Sequence, residues 1–281
     1  MSWLLLVVIS VVATSVANLY QKIAMREEKS DAVASAIAFQ ILTGLCYAIF
    51  ALIKGFHVPQ MWLAPYFLGT MVLYAAGTVC FFRAIKQIEA SEMSIITGAG
   101  AIVTIVASMI FLKDVLSVTQ LIGAACILTA VVLINLKKKS VVMNQGVWLA
   151  LLGSALYGSA VIFDTIIIHA FDAASFIPIG SLGTALVIMI WYPKKIPIVV
   201  RTLRRVDKNL LIFSVLYAAA AITFYLAVET GALVGKVSSI SRSAIILTVL
   251  LSTILLKERD NIDKKILGAI LTTIGVILVS S

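Results

Sequence analysis

Charge is what this sequence has least of. Lys, Arg, Asp and Glu make up 12% of its 281 residues, where a soluble globular domain carries about a quarter. With 62% hydrophobic residues and a mean hydropathy of +1.10, an ordinary water-soluble fold is excluded. Long polar connections are missing too: none is much longer than the basic stretch from Pro193 to Asn209, so no separate soluble domain is expected. Cysteine is scarce, and Cys46, Cys80 and Cys126 each lie inside an apolar run, where they read as small apolar fillers rather than as a disulfide or metal set. Neither His-Glu-x-x-His nor Gly-x-Ser-x-Gly occurs, and Asp164 with His169 does not make a catalytic set. No enzyme, catalytic residue, metal or cofactor is expected.

What is there is a series of continuous apolar runs, at about Trp3 to Lys22, Val33 to Ile53, Ala64 to Ile85, Met93 to Leu112, Val118 to Leu136, Val147 to His169, Ser175 to Tyr192, Leu210 to Glu229, Val237 to Leu256 and Ile266 to Val279. As helices, such runs cross a hydrocarbon core of about 30 Å. The apolar residues are consecutive rather than alternating, which argues against a β-barrel and leaves helices. The expected fold class is therefore an all-α integral membrane protein with ten transmembrane helices. The small residues of Ser15 to Asn18 resemble a signal-peptide cleavage site, but no basic residue precedes the first run, and a transmembrane span is expected there instead.

A formal net charge of +9 invites a nucleic-acid reading. The basic residues flank membrane segments, however, so no nucleic-acid partner is expected. Of the 22 Lys and Arg, 18 follow odd-numbered runs, leaving Lys54, Lys113, Lys236 and Arg242 for the other side. The positive-inside rule then makes the first side cytoplasmic and puts both termini outside.

The chain also repeats itself. An offset of about 145 residues aligns Trp3 with Trp148, Leu112 to Asp114 ("LKD") with Leu256 to Glu258 ("LKE"), and "LIGAACILTAVVLI" (Leu121 to Ile134) with "ILGAILTTIGVILV" (Ile266 to Val279). The expected division is residues 1–140 and 141–281, each with five spans. An odd number of spans per copy makes the two copies inverted, the layout of many secondary transporters that work by alternating access. The Leu-Lys-acid closures and the "LIGA" (Leu121 to Ala124) and "ILGA" (Ile266 to Ala269) segments after them resemble the EamA type of the drug/metabolite transporter superfamily, over essentially the whole chain. That resemblance implies a multi-pass plasma-membrane protein that moves small metabolites such as amino acids, export being the expected direction, by proton-linked or passive exchange. It also implies cytoplasmic termini, against the charge pattern, which we follow here. A monomer is expected.

Polar residues are costly in bilayer helices, so a shared polar stripe marks a cavity or a helix contact. Thr14, Asn18, Gln21 and Lys22 fall on one face of the first run, Tyr74 and Thr78 on one face of the third, and Thr97 and Thr104 on one face of the fourth. The sixth run offers Ser154, Tyr157 and Asp164, the eighth Tyr217, Tyr225 and Glu229, and the ninth Ser238, Ser241 and Arg242. From these, the candidate substrate-binding set is Asn18, Gln21, Tyr74, Thr78, Thr97, Tyr157, Asp164, Tyr217, Tyr225, Glu229, Ser238 and Arg242. Small-residue faces are equally the signature of close helix packing. Because a charge at a helix centre costs about 2.5 to 3.5 kcal/mol even on a mild scale, Arg242 is expected to face Glu229 or Asp164. A small-solute transporter is the leading function. A flippase or scramblase for a lipid headgroup is the alternative from another class.

Overall fold

The computed structural model describes residues 2–26, 30–104, 106, 117–137, 140–141, 143–205, 207–230, 232, 237 and 240–279. Among these are eleven α-helices: α1 Trp3–Arg26, α2 Ala32–Lys54, α3 Ala64–Ile85, α4 Ala90–Thr97, α5 Val118–Asn135, α6 Gln145–Ala170, α7 Ala173–Trp191, α8 Ile196–Arg205, α9 Lys208–Glu229, α10 Ala244–Leu255 and α11 Ile262–Val279. Seven described stretches, Met61–Ile85 and the helices α1, α2, α5, α6, α7 and α9, are long and apolar enough to cross a membrane, and α10 is a shorter apolar helix. The fold is thus all-helical, apart from a minimal hairpin in which Leu136–Lys137 pairs with Ser140–Val141.

Polar residues at the boundaries of the apolar runs start these helices. The Asp31 carboxylate accepts from the amides of Val33 and Ala34 at 3.0 and 2.9 Å, Asn144 from Val147 at 2.9 Å, and Asp207 from Asn209 at 3.0 Å. Each satisfies amides that the first helical turn leaves without a partner. Asp31 also pairs with Lys195 at 2.5 Å. Burial works against its charge, yet Lys195 and the two amides hold the carboxyl below the usual carboxylate range. We call the end of the bundle that carries Asp31, Asn144 and Asp207 the basic end, because most of the Lys and Arg lie there.

Two expected spans differ from simple helices. In the fourth, the chain turns at 98–99 after α4 and is helical again over 100–104. In the ninth, a turn at 242–243 precedes α10. The sequence reads both as uninterrupted because glycine and serine barely lower the hydropathy of a run. The basic stretch expected to be a plain connection instead folds as α8, which packs on α2; its Lys and Arg residues hide the 3.6-residue spacing of its apolar ones.

Helix pairs pack closely where small residues meet. On α5 and α11, a Cβ added to Gly123 would lie 2.6 Å from the Gly275 carbonyl oxygen, and one added to Gly275 would lie 2.7 Å from that of Gly123. Only glycine on both sides lets these backbones touch. The other principal pairs are α1 with α9, α3 with α6, and α2 with α7.

At the basic end, the Leu-Lys-Glu closure ties the two parts of the chain together. Lys257 takes a left-handed backbone with φ 59°, after which the buried Glu258 carboxylate accepts from the Ala90 amide at 3.0 Å and from the Ser91 amide and hydroxyl at 3.1 and 2.8 Å. It therefore caps α4 from the distant segment between α10 and α11. Lys265, also buried, pairs with Glu89. Lys22, whose position near a span end suggests snorkelling to the interface, donates instead to the carbonyls of Ile85 and Ile88 at 2.8 and 2.6 Å. There it satisfies acceptors that the end of α3 leaves open.

Candidate functional site

The helices surround two adjoining cavities, of about 390 and 250 Å³. The larger is lined from the basic-end halves of α1 (Thr14, Asn18, Gln21), α3 (Thr78, Phe81, Phe82) and α9 (Phe213), and from α4 (Ser94, Thr97). It ends at the middle of the bundle, against Gly158 and the Arg242 turn. The smaller lies toward the opposite end, against Thr43 and Tyr47 of α2, Asp164 of α6 and Ile177 and Ser181 of α7. Phe39, Tyr74, Tyr157 and Tyr217 line both, so an aromatic partition divides them. Its members pack edge-on, Tyr74 on Tyr157 with ring centroids 4.6 Å apart and Phe39 on Tyr217 at 5.2 Å.

A hydrogen-bonded chain fixes the partition. The Ser181 hydroxyl donates to the Gln40 carbonyl group Oε1 at 2.8 Å, the Gln40 amide donates to Thr78 Oγ1 at 3.0 Å, and the Thr78 and Tyr157 hydroxyls meet at 2.8 Å. Beside it, the hydroxyls of Thr70 (2.8 Å) and Tyr74 both donate to the Asp164 carboxylate. Buried polar groups joined in this way hold ring orientations that apolar packing alone leaves free.

Of the twelve sequence candidates, eight line the larger cavity: Asn18, Gln21, Tyr74, Thr78, Thr97, Tyr157, Tyr217 and Arg242. Asp164 lines the smaller. Tyr225 and Glu229 line neither: Tyr225 packs edge-on against Phe50 at 5.9 Å, and Glu229 forms an exposed ion pair with Lys54 at 2.6 Å. Ser238 lies outside the described residues. The expected Arg242–carboxylate pair is not formed. Glu229 is drawn to Lys54 near the end of the bundle, Asp164 is held by two hydroxyls across the partition, and no ion pair holds Arg242 among the described residues. The sequence places each residue along its own helix but does not show which faces turn toward one another.

The site also includes residues that the candidate set omits. Thr70 holds Asp164, and Phe39, Phe81, Phe82 and Phe213 wall the cavities. A phenylalanine within an apolar run gives no signal that separates it from a lipid-facing one. Thr70 could have been found, since it stands one helical turn before Tyr74 on α3.

A multi-pass helical protein with solute-sized, partly polar cavities between its helices has the architecture of a membrane transport protein. This chain belongs to the EamA-like transporter family, whose sequence model matches residues 1–136 and again residues 144–281. It is accordingly a multi-pass membrane protein within the drug/metabolite transporter superfamily. The uncharacterized transporter YvbV of Bacillus subtilis is 33% identical to it over 113 residues, 37% of this chain. That match spans 36% of YvbV, about a third of its length. An uncharacterized protein of Methanocaldococcus jannaschii is 25% identical over 92 residues, 33% of this chain and 67% of that protein. A solved crystal structure of a protein superposes with a TM-score of 0.64, covering 98% of this chain and 94% of that one at 13% identity, a likeness of fold alone.

Proposed function

We propose that the chain is a ten-span inverted-repeat transporter that exports a small metabolite, such as an amino acid, by alternating access through the two cavities. The observation that carries this reading is the partition itself. One cavity lies toward the basic end and the other toward the opposite end, and among the described residues they share only the four aromatic residues between them. Moving that partition would hand a solute from one side to the other. The packing supports the inverted repeat. Exchanging each span with its counterpart in the other half turns the α1–α9 pair into α6–α3, α1–α10 into α6–α4, and α2–α9 into α7–α3, all of which are in contact. The pairs α2–α7, α4–α10 and α5–α11, each a span with its own counterpart, also pack together. This is the behaviour of two similar halves around a two-fold axis, and the double match of the family model agrees with it. No observation among the described residues favours the lipid-headgroup alternative.

Cysteine labelling tests alternating access without knowledge of the solute. In a background lacking Cys46, Cys80 and Cys126, Thr97→Cys should react with a membrane-impermeant thiol reagent from the basic side only, and Ile177→Cys from the other side only. A solute that shifts the conformational balance should speed one reaction and slow the other. Labelling of both positions from the same side would refute the reading.

The uneven distribution of Lys and Arg supports a plasma-membrane orientation with both termini outside the cytoplasm. An alkaline phosphatase fused to the C-terminus, active only outside the cytoplasm, should therefore be active. A cytoplasmic fluorescent signal from the equivalent fusion would reverse the orientation.

A further inference from the structure

The two cavities differ in charge. Among its described lining residues, the larger has one formally charged side chain, Arg242, and the smaller has one, Asp164. Asp164 has partners in Thr70 and Tyr74. Arg242 is exposed to the cavity, and among the described residues its guanidinium has neither an ion pair nor a hydrogen bond; only its backbone carbonyl accepts, from Ile245 and from Thr273. The Gln21 side chain on the same wall likewise has no partner among the described residues. A guanidinium inside a bilayer protein is retained at a cost, and pairing with an anion offsets that cost. The carboxylates expected from the sequence to fill this role, Glu229 and Asp164, are engaged elsewhere.

We propose that the larger cavity recognises its solute through a carboxylate that pairs with Arg242, the rest of the solute lying against the aromatic walls. Two features make a carboxylate the fitting ligand. The guanidinium presents two parallel N–H donors that match the two oxygens of a carboxylate. In the same cavity, the partly exposed rings of Tyr74, Phe81, Tyr157 and Tyr217 offer faces and edges to an apolar or aromatic body. No acidic residue lines this cavity among the described residues, so nothing there competes for the guanidinium. The inference rests on this cavity being the solute's site, which the thiol-labelling experiment tests separately.

The test uses the detergent-purified full chain and three probes of similar shape: phenylacetate, phenylacetamide and phenethylamine. Binding is read as the rise in thermal unfolding temperature with probe concentration. Phenylacetate should stabilise the wild type, and the neutral amide and the amine should not. Arg242→Gln should weaken phenylacetate binding about tenfold or more, the size of effect expected for losing a charge-assisted hydrogen bond. Arg242→Lys should fall between, because an ammonium keeps the charge without the paired donors. If Arg242→Gln does not give a monodisperse protein, Arg242→Lys carries the comparison. Equal stabilisation by the amide or the amine, equal phenylacetate binding in wild type and variant, or no stabilisation by phenylacetate would each overturn the inference. Arg242-dependent binding of phenylacetate in a protein whose two cavities label from the same side would leave the inference standing and remove the alternating-access reading.

Discussion

Glu258→Ala is expected to lower stability by about 3–5 kcal/mol, the range for removing one partner of a buried charged contact. The carboxylate is 5% exposed and accepts from the Ala90 amide and from both the amide and the hydroxyl of Ser91. Alanine leaves two amides at the start of α4 buried without an acceptor. It also removes a negative charge from the positive end of that helix. Lys265, 3% exposed and paired with Glu89, would remain in place beside an emptied acceptor position. The effect should appear as a large fall in the unfolding midpoint in detergent and in the amount of monodisperse protein recovered. Glu258→Gln retains one carbonyl oxygen and should recover part of the loss. A midpoint unchanged in Glu258→Ala would show that the tie between α4 and the α10–α11 segment contributes little to the fold.

Gly158→Val should be comparably damaging and should abolish transport. A Cβ at Gly158 would overlap the Gly100 carbonyl oxygen, and it would also crowd the Val103 Cβ at 3.1 Å. Backbone atoms cannot rotate out of the way, so α6 must separate from the segment at 100–104. The Thr104 hydroxyl bond to the Gly158 carbonyl, at 3.1 Å, would be lost with that separation. Overpacking of this kind costs about 1–3 kcal/mol or more. Because Gly100 and Gly158 both line the larger cavity, the displaced helices would deform the site as well. Gly180→Ala is the control. A Cβ there meets nothing closer than the Phe176 ring at 3.7 Å, so this change should be tolerated and could add about 0.5–1 kcal/mol through helix propensity. Normal folding and transport in Gly158→Val would mean that α6 and the segment at 100–104 are not held at this separation in the working protein.

How far the site can be read from the sequence follows from the same geometry. Helical periodicity was enough to bring Asn18 and Gln21 onto one wall, and Tyr74 and Thr78 onto another, since residues one turn apart share a face whatever surrounds the helix. The same reasoning puts Tyr225 and Glu229 on the stripe of Tyr217, yet these lie about two and three turns farther along α9, beyond the cavity. A stripe gives direction around a helix axis but not the depth at which a cavity ends. The charges failed in a different way. Arg242, Asp164 and Glu229 all stand inside apolar runs in the sequence, but Glu229 is the last residue of α9 and forms an exposed pair with Lys54, which the sequence shows only as a residue flanking the second span. Long lysine and arginine side chains reach several ångströms from their backbone positions, so sequence position says little about which acid they meet.

That this is a helical membrane protein, and where most of its helices lie to within a few residues, is legible in the apolar runs. The reason is that the hydrocarbon layer acts on each segment separately: a run of apolar residues of the right length must form a helix, with its backbone hydrogen bonds made internally, whatever its neighbours do. The tertiary structure alone decided that the fourth and ninth spans turn at 98–99 and 242–243, that Glu258 caps a helix more than 160 residues away, and that Arg242 opens onto a cavity instead of facing an acid. Each of these depends on which helix faces meet. Lipid gives almost no hydrophobic preference among apolar faces, so that choice is made by small-residue contacts and polar bonds between helices distant in sequence.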